Sequence, residues 1–305
     1  MAFYSSQRFE DICERETGVL LKLDVLGAKL TSFAIGGPIS YYCVVDSIED
    51  LKSLLKYLKS RSEKLLIMGA GSNILIPDEG IRGVVARLGR AFHFCQKAGP
   101  QSFVVGAASP IMSLSRMLSD EGYSGLEFAG GIPGSAGGAL TMNAGAHGSS
   151  MSDIVTGARV LSADGEVLDL TKDDFRFVYR NAGLPEGMIV LSVNIELTES
   201  NREKTKRTRQ EMLKERRARQ PLQFASAGSV FKNPSMEKPA GLLIEKAGLK
   251  GVRIGGAEIS KLHANWIINP AKDAKAVDVL ALMKLCKQRV LDMAGIELEA
   301  EIKVW

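Results

Sequence analysis

Gly130-Gly131-Ile132-Pro133-Gly134-Ser135-Ala136-Gly137-Gly138-Ala139, followed closely by Met142-Asn143-Ala144-Gly145-Ala146-His147-Gly148, decides how the rest of the chain is read. Five of the first ten residues are glycine and two more are alanine. A backbone this bare reaches positive φ at low cost and can lie directly against a planar or anionic ligand. Its amides can also form a concave anion site. The competing reading is a tight turn inside a β domain or a flexible linker. Apolar residues flank the stretch closely and no Ser- or Gln-rich tract surrounds it, which favours a structured ligand cradle over a linker.

A second cradle lies upstream in Leu65-Leu66-Ile67-Met68-Gly69-Ala70-Gly71-Ser72-Asn73-Ile74-Leu75-Ile76, where one apolar strand runs into the glycines and another runs out. A dinucleotide fingerprint needs a third glycine and a helix directly after the turn. Ile74-Leu75-Ile76 before Pro77-Asp78 reads as a strand ending in a turn, so this is not a Rossmann site.

Taken together, Gly69-Ala70-Gly71-Ser72-Asn73, Glu127 to Ala139 and Met142 to Ala146 resemble the flavin-binding loops of the UDP-N-acetylenolpyruvoylglucosamine reductases. These are FAD enzymes of peptidoglycan precursor synthesis within the wider vanillyl-alcohol-oxidase-type flavoproteins. The resemblance covers roughly Thr31 to Ile302. It implies an α+β chain with a two-part, PCMH-type FAD-binding region and a C-terminal α+β substrate domain. It also implies that FAD is held by Gly69, Ala70, Gly71, Ser72, Asn73 and Ile74 in the first loop. In the second, the implied contacts are Gly130, Ile132, Pro133, Gly134, Ser135, Gly138, Asn143, Ala144 and Gly145. The expected division is 1–85 and 86–205 for the two flavin subdomains, with FAD between them, and 206–305 for the substrate domain.

Composition is compatible with this. The 305 residues are 45% apolar and 24% charged with a net charge of +4, ordinary for a soluble protein and too weak to argue for nucleic acid. Cys13, Cys43, Cys95 and Cys286 are widely spaced, with no zinc spacing or Cys-x-x-Cys pair, so reduced structural thiols and no metal site are expected. Met1 to Glu16 lacks the apolar core of a signal peptide, and no continuously apolar run approaches the ~20 residues that span a bilayer. A soluble, cytoplasmic protein without a membrane partner is expected.

Along the chain, residues 1–30 read as a short helix and turn, Thr31 to Ile35 as a strand ending at Gly36-Gly37-Pro38, and Ile39 to Val45 as a second strand. Ser47 before Glu49-Asp50 is an N-cap signal, and the spacing from Leu51 to Leu58 predicts an amphipathic helix. Short strands dominate from about Val84 to Leu197, with one helix near Pro110 to Glu121. Val155 to Leu170 reads as a hairpin around Asp164-Gly165, which favours a type I′ turn. Residues 200–220 are helical and rich in Lys and Arg, but Glu203, Glu211 and Glu215 interrupt the run and no aromatic residues interleave. A solvated linking helix fits this pattern better than a nucleic-acid platform. Gln220-Pro221 ends it. The last domain alternates Ala240–Ala247, Ala264–Asn269, Ala276–Ala294 and a strand over Glu297–Val304.

Three residues carry the chemistry that the resemblance implies. Arg180, in Tyr179-Arg180-Asn181, matches the family's active-site arginine, a suitable clamp for a carboxylate whose charge spreads during reaction. Ser229, in Gly228-Ser229-Val230-Phe231-Lys232-Asn233-Pro234, corresponds to its proton-donating serine. Glu301 takes the position of its catalytic carboxylate. Alone, each has an ordinary reading: a surface arginine, a turn serine and a solvated strand face. Lys232, Asn233 and His263 are candidate substrate contacts, although a structural role suits His263 better because no acid–base partner can be assigned.

The chain departs from the family pattern at Ala182, Leu262 and Ala300-Glu301-Ile302. The segment from Arg180 to Leu197 is short, as in the compact subclass without a substrate-covering tyrosine loop. The implied activity is reduction of an enolpyruvyl ether on a UDP-sugar by NADPH through FAD. The alternatives are an FAD oxidase of the same fold acting on an alcohol or sugar, and a nucleotide or nucleic-acid binder relying on residues 200–220.

Overall fold

The computed structural model describes residues 6–305; of the polar stretch 1–16, residues 1–5 lie outside the described residues. The chain divides into two compact units, each discontinuous in sequence. One comprises Met1–Leu23, Tyr41–Ala70 and Gly83–Lys214; the other comprises Asp24–Ser40, Gly71–Arg82 and Glu215–Trp305.

The first unit has two cores. One packs helices Ser6–Thr17 and Ile48–Lys59 with the sheet that contains Leu65–Ile67 and Ile81–Leu88, and buries Leu51, Leu54, Val84 and Ala86. Helix Ile48–Lys59 starts where the sequence predicts. Ser47 accepts the Asp50 N–H, acids occupy the first turn and lysines the last, as the helix dipole favours. Its buried residues Leu51, Leu54, Tyr57 and Leu58 form the 3/4-spaced stripe. Leu65–Ile67 pairs in parallel with Ile81–Leu88, Leu66 opposite Val85.

The second core lies on an antiparallel five-stranded sheet in the order Val167–Thr171, Val155–Leu161, Ile189–Glu196, Ser102–Gly106 and Cys95–Lys97. Helix Ile111–Glu121 packs there and stops at Gly122, φ 93°. The hairpin at Asp164-Gly165 is present, but its turn is not type I′. The Gly165 N–H donates to the Ser162 carbonyl, and only Gly165 has positive φ, 85°. This is a type I turn followed by a left-handed glycine, and Leu161 pairs with Val167 across it.

Helix Arg202–Arg219 forms as expected, with most of its charged residues in solvent; Arg216 is half-buried and Arg209 buried. Thr205 and Arg209 are buried, and the Arg209 guanidinium meets Asp120 at 3.3 Å.

The other unit is organised on a four-stranded antiparallel sheet: Ala225–Ser229, Trp266–Asn269, Ala257–Ile259 and Arg253–Ile254. Phe33, Ile35 and Leu75 join Ile244, Ile267 and Leu282 in its core. Helix Ala276–Ala294 begins on Asp78, whose carboxylate accepts the N–H groups of Ala276 (2.7 Å) and Val277 (3.0 Å). Ile74–Leu75 pairs in parallel with Lys303–Val304.

Two expected strands are absent here. Thr31 to Ile35 is turn and irregular chain, although Phe33 and Ile35 are buried as a strand's inner face would be. Glu297 to Ala300 is irregular too, making one bridge, Ala300 to Phe231, and only Lys303–Val304 is strand. All four cysteines are free thiols; burial pushes those of Cys43 and Cys286 up to about 12, which leaves them inert near neutral pH. Among the described residues, no helix is long and apolar enough to cross a membrane.

Candidate active site

In the first unit the glycine-rich stretch is half helix. Ser135, φ −99°, caps helix Ala136–Thr141 by accepting the Gly138 N–H at 3.3 Å. Two glycines in its first turn make a poor helix former. The helix is held by packing and by backbone: the Ala136 N–H donates to Ser109 and the Gly137 N–H to Ala107.

Gly69 of the upstream loop lies against this cap, so that a Cβ placed on it would sit 2.8 Å from Ser135 Oγ. Gly69-Ala70 and Gly138 are exposed backbone, while Ser135 is buried. The two cradles predicted separately therefore meet in this unit around one hydroxyl, leaving a shelf without side chains.

Arg180 belongs to the same unit and is tied to the second cradle. Its guanidinium donates to the Gly145 carbonyl at 3.3 Å and lies over the Tyr179 ring, 4.8 Å from its centroid. Asn143 joins the two segments: its Nδ2 donates to the Val178 carbonyl (3.0 Å), and its Oδ1 accepts the Ser152 N–H (3.0 Å). Both Asn143 and Arg180 have left-handed backbones, φ 39° and 61°. Such conformations persist in non-glycine residues where the surroundings hold them, often at functional sites.

In the other unit Gly71 is buried with its backbone pressed on Leu30, so its bareness serves chain packing. Asn73 reaches the carboxyl end: its Nδ2 donates to the Glu301 carbonyl (3.1 Å), and its own carbonyl accepts the Lys303 N–H (3.0 Å).

Ser229 and Glu301 are brought together through Val230, whose carbonyl accepts the Glu301 N–H at 2.8 Å. Lys232 follows, its N–H bonded to the Glu299 carbonyl and its ammonium ion-paired with the Glu299 carboxylate. Asn233 Oδ1 accepts the Ala240 N–H at the start of helix Ala240–Lys246.

His263 Nδ1 accepts the Asn265 N–H at 3.2 Å. Burial, reinforced by the positive charge of Lys250, holds its imidazole below the usual range, so it stays neutral. This is a structural hydrogen bond, the role that suits the residue best. Asn265 itself is absent from the sequence-derived site. Its only signal is a lone amide entering the apolar run Trp266-Ile267-Ile268.

A bare backbone shelf on either side of Ser135, with exposed main chain at Gly69, Ala70 and Gly138, suits the flat and anionic parts of FAD. An FAD binding domain model matches residues 39–171. The model for the UDP-N-acetylenolpyruvoylglucosamine reductase C-terminal domain matches residues 220–305. The chain is 43% identical over 276 residues to the UDP-N-acetylenolpyruvoylglucosamine reductase of Halalkalibacterium halodurans, covering 90% of each chain. It is 39% identical over 297 residues to that of Bacillus subtilis, covering 97% of each. The crystal structure of the Thermus caldophilus reductase superposes with a TM-score of 0.81 at 34% identity, covering 94% of this chain and 99% of that one.

The protein is therefore an FAD-dependent oxidoreductase with a PCMH-type FAD-binding region and an appended C-terminal domain. Within that class, the chain belongs to the UDP-N-acetylenolpyruvoylglucosamine reductase family.

Proposed function

We propose that the protein reduces UDP-N-acetylglucosamine enolpyruvate to UDP-N-acetylmuramate in the cytoplasm, with NADPH as reductant and FAD bound. The observation that best supports the site assignment is the attachment of Ser229 and Glu301 to a single residue, Val230. When bound, FAD would supply the hydride-transfer chemistry that links NADPH to the enolpyruvyl double bond, at the carbon remote from the substrate carboxylate.

The protein's own part is orientation and charge. The Gly69-Ala70 and Ser135–Gly138 backbone holds the cofactor, with Ser72, Asn73 and Ile74 continuing the first loop and Gly130, Ile132, Pro133 and Gly134 the second. Arg180 steadies the charge that develops on the substrate carboxylate and its enolate, in the manner of a preorganised oxyanion donor. Ser229 gives its proton to the carbon beside that carboxylate and is reprotonated afterwards. A serine hydroxyl is a weak acid, so its proton transfer depends on a setting that stabilises the alkoxide left behind. Glu301 polarises and orients the reacting group. Lys232, Asn233 and His263 shape the substrate side.

Functionally we divide the chain into 1–85 and 86–205 for the flavin and 206–305 for the substrate. Only residues 181–188 separate Arg180 from strand Ile189–Glu196, which supports the compact subclass without a tyrosine loop.

The test is the visible absorption of the purified protein. A flavin band that bleaches with NADPH and returns, without oxygen, on adding the UDP-enolpyruvyl sugar is the expected result. A yellow protein that ignores this substrate and consumes oxygen with alcohols would overturn it. Ser229→Ala is expected to bleach normally while return of the band slows by about 100-fold or more, the scale of a lost general acid.

A further inference from the structure

We infer that Asn265 is a positioning residue that sets Ser229 and Glu301 for the reaction, an inference resting on the roles given to those two residues above. Asn265 is 3% exposed and precedes strand Trp266–Asn269. Its amide spends both ends on one residue: Oδ1 accepts the Phe231 N–H at 2.9 Å, and Nδ2 donates to the Phe231 carbonyl at 2.8 Å. Its backbone carbonyl accepts the Val230 N–H at 2.9 Å. Asn265 thus holds three polar groups of Val230-Phe231.

That dipeptide is the joint between the two candidate residues. On one side it continues from Ser229, where the ladder is irregular. Ser226 pairs with Ile268 and Ser229 with Trp266 across a register shift, and Gly228 has φ 79°. A disrupted ladder defines the height of Ser229 poorly, and the amide clamp two residues further on replaces it. On the other side the Val230 carbonyl accepts the Glu301 N–H, and Phe231 bridges Ala300. A shift of Val230-Phe231 therefore moves the proton donor and the carboxylate together.

An amide is suited to this duty because it carries a donor and an acceptor in one plane. An ionised aspartate keeps the acceptor but turns a negative oxygen on the Phe231 carbonyl. An aliphatic residue leaves both Phe231 groups unpaired in a buried place. The clamp is itself braced, since the neutral His263 Nδ1 accepts the Asn265 N–H and Ser260 Oγ accepts the Leu262 N–H at 3.1 Å.

The test follows the two half-reactions of Asn265→Asp holoenzyme, with Ser229→Ala beside it. Bleaching by NADPH should stay within about twofold of the parent. Return of the flavin band with the enolpyruvyl sugar should slow by on the order of 100-fold at neutral pH, the scale of a misplacement of about 1 Å. As pH falls from about 8 towards about 5, a buried aspartate takes up a proton, and its carboxyl regains a donor for the Phe231 carbonyl. Activity relative to the parent should then recover, which a merely loosened fold would not do.

Parent-like return of the band at every pH, or equal loss of both half-reactions without acid recovery, would overturn the inference. If Ser229→Ala itself reduces substrate normally, the underlying site assignment has failed instead. Should Asn265→Asp not yield folded holoenzyme, Asn265→Ser, able to serve one of the two Phe231 groups, is expected to show the same split between half-reactions at smaller amplitude. An unsplit effect would overturn the inference there too.

Discussion

Around Ser135 the work falls to main chain: Gly69, Ala70 and Gly138 offer backbone, and the buried Ser135 side chain caps a helix. Around Ser229 it falls to side chains, and the backbone that carries them is gripped by Asn265 and braced by His263. The first construction is damaged by adding atoms, the second by removing hydrogen bonds. The difference tells which substitutions each region tolerates, and it can be tested from both directions.

The largest effect is expected where a glycine serves chain packing alone. A Cβ on Gly37 would stand 2.0 Å from the Asp78 carbonyl oxygen and 2.6 Å from the Gly80 nitrogen, both backbone. Gly37→Ala should destabilise by more than about 4 kcal/mol, or yield no folded protein, as measured by thermal melting.

Gly69→Ala is the sharper comparison, because its obstacle is a hydroxyl that can turn away. This variant should fold but hold FAD at least about tenfold more weakly, some 1.4 kcal/mol, in a titration of apoprotein. Unchanged affinity would remove the shelf around Ser135 from the cofactor site.

The smallest effect concerns His263 and appears as a slope. The folded protein keeps its imidazole below the ordinary value of 6.5, so the unfolded chain binds the proton first as pH falls. The stability linked to His263 is whole above about pH 6.5 and is lost progressively below it, towards the depressed folded value. His263→Gln should flatten the fall in denaturant midpoint between about pH 7 and pH 5. An unchanged slope would mean that the brace behind Asn265 does not titrate as proposed.

Much of this architecture was legible in the residues. Ser47 with Glu49 and Asp50, and the spacing through Leu58, give helix Ile48–Lys59 from local chemistry alone. Phe33 and Ile35 alternate like a strand because both are buried, yet their segment is irregular and held by a side chain: Asn269 Nδ2 donates to the Phe33 carbonyl. The alternation at Glu297 to Glu301 misleads similarly, since Leu298 and Ile302 point inward from a chain that makes one bridge. Helix Ala136–Thr141 was hidden by its own glycines. The glycine loops, Ser229 and Glu301 were readable as motifs. Asn265 was not, because its partner Phe231 lies 34 residues away and nothing local marks the pairing.

The pairing of Ile74–Leu75 with Lys303–Val304, and the capping of helix Ala276–Ala294 by Asp78, have a consequence for synthesis. Segments Asp24–Ser40 and Gly71–Arg82 are translated early but belong to the unit completed by Glu215–Trp305. At ordinary elongation rates they wait on the order of ten seconds or more for their partners to leave the ribosome. The apolar Ile74-Leu75-Ile76 is without its strand partner throughout that interval. The nascent chain is thus most exposed to chaperones and to mispairing at the segment that later carries half of the first glycine loop.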